Sequence, residues 1–252
     1  MTITNQESGT NVHEIADGIY RINTPVVFEN GLGFTFNQYL IVDDEPLLYH
    51  TGPRKMFPLV HEAVASLMPV EQLRYIGFSH VEADECGSLN EWLAVAPDAV
   101  PLCGMVAGLV SVDDLADRPP RTLADGETLS LGKHQVRWFD TPHLPHGWEA
   151  GQLFDEHTGT LFCGDLFTQG GVDLPPVTDK DILRPSEEFR QRMDYFSHTT
   201  NAGDMLERLA NIKPTTLACM HGSVYRGDGG ALLRELAVAL SNPVQSNMEV
   251  AN

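Results

Sequence analysis

The sequence predicts an α/β protein in which two sheets pack together and are covered by helices. Strand-like runs rich in aromatic and β-branched residues come in groups, helical runs follow each group, and this rhythm occurs twice in 252 residues. Apolar residues make up 42% and charged residues 20%, which supplies a core and excludes global disorder.

The first group holds GIYRI at 18–22, FTFNQYLIV at 34–42 and EPLLYH at 45–50, punctuated by Gly and Asp-Asp. A helix is expected over about 55–68, with Pro58 near its first turn where no hydrogen bond is lost. A strand at 73–79, a helix at 87–96 and a short strand near 99–103 follow. The second group runs 127–131, 134–139, 151–154 and 160–163, with turns at Asp125-Gly126 and Leu131-Gly132. Gly, Pro and Asp make 167–185 a loop, ahead of helices at 186–198 and 202–211, a strand at 215–220 and a closing helix near 229–241. Residues 1–12 and 242–252 are polar and are expected to fray from a single domain spanning 1–252.

Sixteen Lys and Arg against 35 Asp and Glu give a formal charge of -19. Such a surface repels phosphate backbones and anionic lipid heads, so neither nucleic acid nor membrane is an expected partner. The opening MTITNQESGT has no basic start and no apolar run, so no signal peptide is expected. Cys86, Cys103, Cys163 and Cys219 form no CxxC pair and fit free thiols in a reducing cytoplasm. No dinucleotide, P-loop or GxSxG motif is present.

The sharpest local feature is FSHVEADECG at 78–87, directly after a strand. His80, Glu82 and Asp84 stand at i, i+2 and i+4, which in extended chain turns all three to one side. One imidazole and two carboxylates at a strand end form a hard metal-donor set, with an exposed acidic loop as the ordinary alternative. Downstream come His146 in LPHGWEAG, Asp165 in LFCGDLF and His221 in LACMHGS, the last two just after apolar runs. Strand ends are where distant segments can assemble a site, and four such segments favour a metal site over chance.

With these segments in view, nearly the whole chain resembles a metallo-β-lactamase fold protein. NQYLIVDDEPLLYHTG is similar to that family's opening hairpin, with His50 where an Asp usually precedes Thr-Gly. The common hydrolase motif is HxHxDH; here Glu82 replaces the second His and Glu85 the last. Glu at the first of these positions resembles the flavodiiron proteins and related oxygen-binding di-iron proteins. Their pattern also leaves 18 residues between the third-motif His and a bridging Asp. His146 to Asp165 leaves 18, whereas His143 to Asp165 leaves 21. The resemblance therefore makes His146 the ligand and His143 a supporting or loop residue. Glu85 departs from the usual His and stands as either an extra ligand or a carboxylate behind the ligands.

The resemblance implies a four-layer αβ/βα sandwich with a dinuclear site at the strand ends between its two halves. It puts His80, Glu82 and His146 on one ion, Asp84 and His221 on the other, and Asp165 across both. Three neutral imidazoles and three carboxylates against two divalent ions leave +4 − 3 = +1, which suits a bridging oxo or hydroxo group. Added carboxylate favours iron, with manganese or zinc as alternatives. The implied function is binding or slow reduction of O2 or NO. No flavodoxin-like segment occurs in the 252 residues, so no FMN is expected and a separate electron donor would serve. A homodimer is usual among such relatives. The alternative is a dinuclear zinc hydrolase of esters, thioesters or lactones, supported only by what most proteins of the fold do. A third reading is a sensor whose ligand-bound state alters a docking surface. No catalytic residue beyond these ligands is singled out.

Trp148, Phe167 and Tyr195 are candidate pocket walls, although aromatics beside motifs are more often packing. Cys163 and Cys219 read as small buried strand residues, and Cys86 as the better candidate for a reactive thiol. His13, His61, His134, His157 and His198 read as surface or capping residues.

Overall fold

Burial alternates along the strands and decides which layer each side chain joins: Tyr39 and Ile41 enter one core, Leu40 another. The computed structural model describes residues 1–29 and 31–241. The first sheet is built in chain order from β1 (Thr2–Ile3), β2 (Asn11–Ala16), β3 (Ile19–Val27), β4 (Gly33–Ile41), β5 (Leu47–Tyr49), β6 (Tyr75–Gly77), β7 (Val100–Gly104) and β8 (Arg121–Leu123). It is antiparallel from β1 to β5 and parallel from β5 to β8. The second contains β9 (Thr128–Ser130), β10 (Gln135–Asp140), β11 (Gly151–Asp155), β12 (Thr160–Gly164), β13 (Val177–Thr178), β14 (Thr216–Cys219) and β15 (Val224–Arg226). Their spatial order is β13-β15-β14-β12-β11-β10-β9.

Helices α1 (Phe57–Ala65), α2 (Ala83–Cys86) and α3 (Leu89–Val95) follow strands of the first sheet. Val60, Ala63 and Val64 of α1 and Trp92 and Leu93 of α3 pack on Ile22, Leu40, Leu48 and Ile76. A helical stretch then runs through α4 (Met105–Ala107), a π turn (Gly108–Val112) and α5 (Asp113–Leu115). Between the sheets, Tyr39, Tyr49 and Leu102 meet Trp138, Leu153, Phe162 and Ala218. Beyond the second sheet lie α6 (Leu183–Met193), α7 (Ala202–Asn211) and α8 (Gly229–Leu240). Leu206 and Leu209 of α7 and Leu232, Leu233 and Leu236 of α8 cover Leu161, Cys163, Leu217 and Cys219. The result is the expected four-layer αβ/βα sandwich. Among the described residues, no helix is long and apolar enough to cross a membrane.

Several expectations are corrected. Residues 1–12 do not fray: β1 and β2 extend the first sheet, Val12 and Ile15 enter two different cores, and side-chain bonds hold the polar remainder. The Asn5 side chain accepts from the Ser8 amide at 3.0 Å, and the buried Thr10 and Thr24 hydroxyls lie 3.1 Å apart. The expected fraying of 242–252 lies outside the described residues. The loop at 167–185 contains β13 and the start of α6, and that helix stops at Met193, where Asp194 turns left-handed at φ 46°. His134 is not a surface residue; it is 2% exposed and 3.2 Å from Asp155.

Two parallel neighbours, β12 and β14, bring Asp165 and His221 to the same end of the second sheet. The pairing slips between Phe162 and Gly164, and Gly164 has φ 50°. A Cβ there would stand 2.7 Å from the Ser79 hydroxyl, so glycine allows β12 to approach the segment that carries His80.

Candidate metal centre

After β6 the chain bends through residues 79–82, with Glu82 itself extended (φ −140°, ψ 163°), and becomes helical at Ala83. The expected extended run with three side chains on one side is not what forms: His80 and Glu82 meet at 3.2 Å across a bent segment, and Asp84 leaves for the other cluster. The first turn of α2 carries Asp84 to a second cluster and turns Glu85 fully inward. His146 comes from the β10–β11 loop, Asp165 from the end of β12 and His221 from the end of β14.

These residues make two clusters, His80–Glu82–His146–Asp165 and Asp84–Glu85–His221. In the first, Nε2 of His80 and Nε2 of His146 are 2.9 Å apart, and Glu82 Oε2 lies 3.2 and 2.8 Å from them. Asp165 Oδ2 is 3.7 Å from His80 Nε2 and 3.4 Å from His146 Nε2. In the second, His221 Nε2 is 3.2 Å from Asp84 Oδ2 and 3.3 Å from Asp165 Oδ1. One oxygen of Asp165 thus faces each cluster.

The outer imidazole nitrogens are tied down. His146 Nδ1 meets the Tyr195 carbonyl at 2.9 Å and His221 Nδ1 the Thr35 carbonyl at 2.7 Å. A carbonyl only accepts, so each Nδ1 carries a proton and Nε2 is the ring nitrogen turned inward, the one that a cation would take in exchange for its proton. His80 Nδ1 lies 2.9 Å from Ser79 Oγ, which is 3.1 Å from His50 Nε2. His50 is fully buried at φ 64°, and burial, reinforced by His80, lowers its pKa to about 3, so it is neutral.

Among the described ion pairs, no Lys or Arg reaches Glu82, Asp84, Glu85 or Asp165; histidines alone do. Burial works against charge on Asp165, but His221, His80 and His146 outweigh it and hold the carboxyl well below the usual range. Burial likewise opposes charge on His221, yet Asp165 and Asp84 raise it to about 10. Hydrogen bonds from His146 and His80 hold Glu82 at about 2. Burial, with Asp165 and Asp84 nearby, pushes Glu85 well above the usual range. Asp165 Oδ1 and both oxygens of Glu85 are buried with no hydrogen-bond donor. Inward Nε2 atoms, carboxylates with no Lys or Arg among their partners and orphaned acceptors fit cations at both positions.

His143 stays out of both clusters, exposed at φ 64°, with its amide bonded to the Gly147 carbonyl at 2.8 Å. Of the three expected wall aromatics, Tyr195 lies against His146, with ring centroids 6.2 Å apart, and its hydroxyl donates to the Asp165 carbonyl at 3.2 Å. Phe167 instead belongs to the helix-facing core, and Trp148 is 56% exposed. Phe34 stacks on His221 at 4.2 Å and Phe189 on Phe34 at 5.4 Å, a wall that the motifs did not reveal. The alternating aromatics of FTF in β4 were the available signal.

A family model described as ODP family beta lactamase matches residues 34–222. The nitric oxide reductase of Moorella thermoacetica is 26% identical over 243 residues, 88% of this chain and 60% of its own length. The rubredoxin-oxygen oxidoreductase of Megalodesulfovibrio gigas is 24% identical over 205 residues, 78% of this chain and 50% of its own. The chain therefore spans about half the length of these curated relatives. The flavodiiron protein from Giardia intestinalis superposes with a TM-score of 0.77 at 18% identity, covering 92% of this chain and 59% of that one. The family match spans three quarters of the sequence and encloses both clusters, and the chain belongs to the ODP beta-lactamase family.

Proposed function

We propose that the chain holds two iron ions and binds or reduces O2 or NO. His80, Glu82 and His146 are the ligands of one position, Asp84 and His221 of the other, and Asp165 is shared. The observation that carries this reading is Asp165, with one carboxylate oxygen toward each cluster. Glu82, a carboxylate between two imidazoles, supports iron over zinc. The similarity to a nitric oxide reductase and a rubredoxin-oxygen oxidoreductase supports a diatomic ligand.

Iron at these positions would supply open coordination sites and redox chemistry. The protein supplies the rest. The Thr35 and Tyr195 carbonyls fix two imidazole orientations, and Ser79 supports the third. Phe34, Phe189 and Tyr195 pack in series beside His221 and His146 and give that side of the clusters an apolar wall, which suits a small uncharged ligand.

Metal analysis of protein purified without oxygen from cells supplied with iron and zinc tests the reading. About two irons per chain and a near-ultraviolet spectrum that changes on adding O2 or NO are expected. Two zincs and no absorbance change overturn it. Glu82→His is expected to raise zinc retention relative to iron by roughly tenfold or more, because it returns an imidazole to the set.

A further inference from the structure

Glu85 has no role in the ligand set above, yet it is the most deeply buried carboxylate at the centre, with 0% exposure. Its amide carbonyl accepts from the Thr51 amide at 2.8 Å, which anchors this turn of α2 beside His50. Neither carboxylate oxygen has a hydrogen-bond donor. Oε2 lies 3.9 Å from His80 Nε2, and the side chain clusters with Asp84 and His221. A structural carboxylate is ordinarily held by hydrogen-bond donors or by a Lys or Arg; this one sits in the Asp84–His221 cluster with no donor, and the His80 ring at 3.9 Å is its one ion-pair contact among the described residues.

Resting on the metal-pair reading, we propose that Glu85 is a fourth carboxylate ligand, completing the second position together with Asp84, His221 and the shared Asp165. Four carboxylates against two divalent ions give +4 − 4 = 0, so protein and ions balance with no added anion. A neutral, oxygen-rich second position selects hard cations such as iron or manganese over zinc. It also separates the two positions chemically: the first has two imidazoles beside Glu82, the second a single imidazole beside Asp84 and Glu85.

The test is titration of the full chain, stripped by chelation under anaerobic conditions, with Fe(II) alone and with Zn(II) alone. Melting of the stripped protein is followed in parallel. Wild type is expected to take up two equivalents. Glu85→Gln keeps the shape and removes the charge. It is expected to melt like wild type when stripped and to bind the first Fe(II) normally, with the second weakened by about tenfold or more. Two equivalents bound as in wild type overturn the assignment. Glu85→His offers an independent check: it is expected to keep two equivalents but to shift the second toward zinc, and an unchanged iron-to-zinc preference overturns the assignment. A wild-type chain that takes up no metal overturns the metal-pair reading itself. Two ions in both wild type and Glu85→Gln, with equal affinity, remove only the role of Glu85.

Discussion

On either side of β10 a histidine stands beside a carboxylate, buried His134 just before the strand and half-buried His146 in the loop after it, and the two arrangements behave differently. Before the strand, His134 Nδ1 lies 3.2 Å from Asp155 Oδ1, while Asp155 Oδ2 accepts from the Thr158 amide at 2.9 Å and its hydroxyl at 2.6 Å. One imidazole faces one carboxylate. Asp155 alongside raises His134, and although burial pushes Asp155 up, His134 and Thr158 bring it below its usual value; the His134 Nδ1–Asp155 Oδ1 contact is an ion pair without hydrogen-bond geometry. Beyond the strand, His146 joins two more imidazoles and four carboxylates, and several acceptors stay unmatched. Local pairing balances the first site from within. The second has more carboxylates than imidazoles and no Lys or Arg among its ion pairs, and it is this surplus, rather than a buried His–Asp contact alone, that supports the proposed metal pair.

The sharpest way to break this contrast is Asp165→Asn, which weakens a donor to both clusters. Metal content is expected to fall from about two ions per chain to below one by elemental analysis, and retention of both would remove the distinction. His134→Ala acts on the other end. It leaves Asp155 buried without its partner and is expected to cost about 3–5 kcal/mol in urea unfolding, with metal content unchanged. Lost metal at unchanged stability would reverse the two roles.

A smaller effect sharpens the comparison through pH. His134 has a folded pKa above its unfolded value, so its stabilisation is complete below about pH 6.5 and is lost as pH rises through the folded value. The stability gap between wild type and His134→Gln should therefore be larger at pH 6 than at pH 9. An equal gap at both values would show that the pair works without charge.

Much of the architecture was legible because burial period leaves a local mark: FTFNQYLIV alternates between two cores, and TTLACM does the same. The N-terminal strands were not, since NVHEIA is half polar and depends on pairing with β3, residues away in the chain. Among the cluster residues, Asp165 and His221 sat just after strands, His80 and Glu82 in the short segment after β6, and His146 in a loop at a recognisable spacing from Asp165. Asp84 was placed in the right neighbourhood for a wrong local reason, because a helix begins at Ala83. The groups that orient the imidazoles were invisible: the Thr35 and Tyr195 carbonyls are backbone, and no side-chain pattern announces them. His50 was visible as a departure, but its link to His80 through Ser79 is a tertiary fact.

The segment holding His221 is gripped by the opposite sheet. Asn37 donates to the Cys219 carbonyl at 2.8 Å and to the Gly222 carbonyl at 2.9 Å, Tyr39 to Cys219 at 2.6 Å, and buried Arg21 to Gly222 at 3.0 Å. Each cluster also draws on both halves of the chain, His80, Glu82 and Asp84 from one and His146, Asp165 and His221 from the other. Neither cluster exists until the halves have met. If the clusters hold the proposed ions, maturation is sequential: the scaffold closes before it is charged, and a nascent half-chain offers stray metal no finished berth.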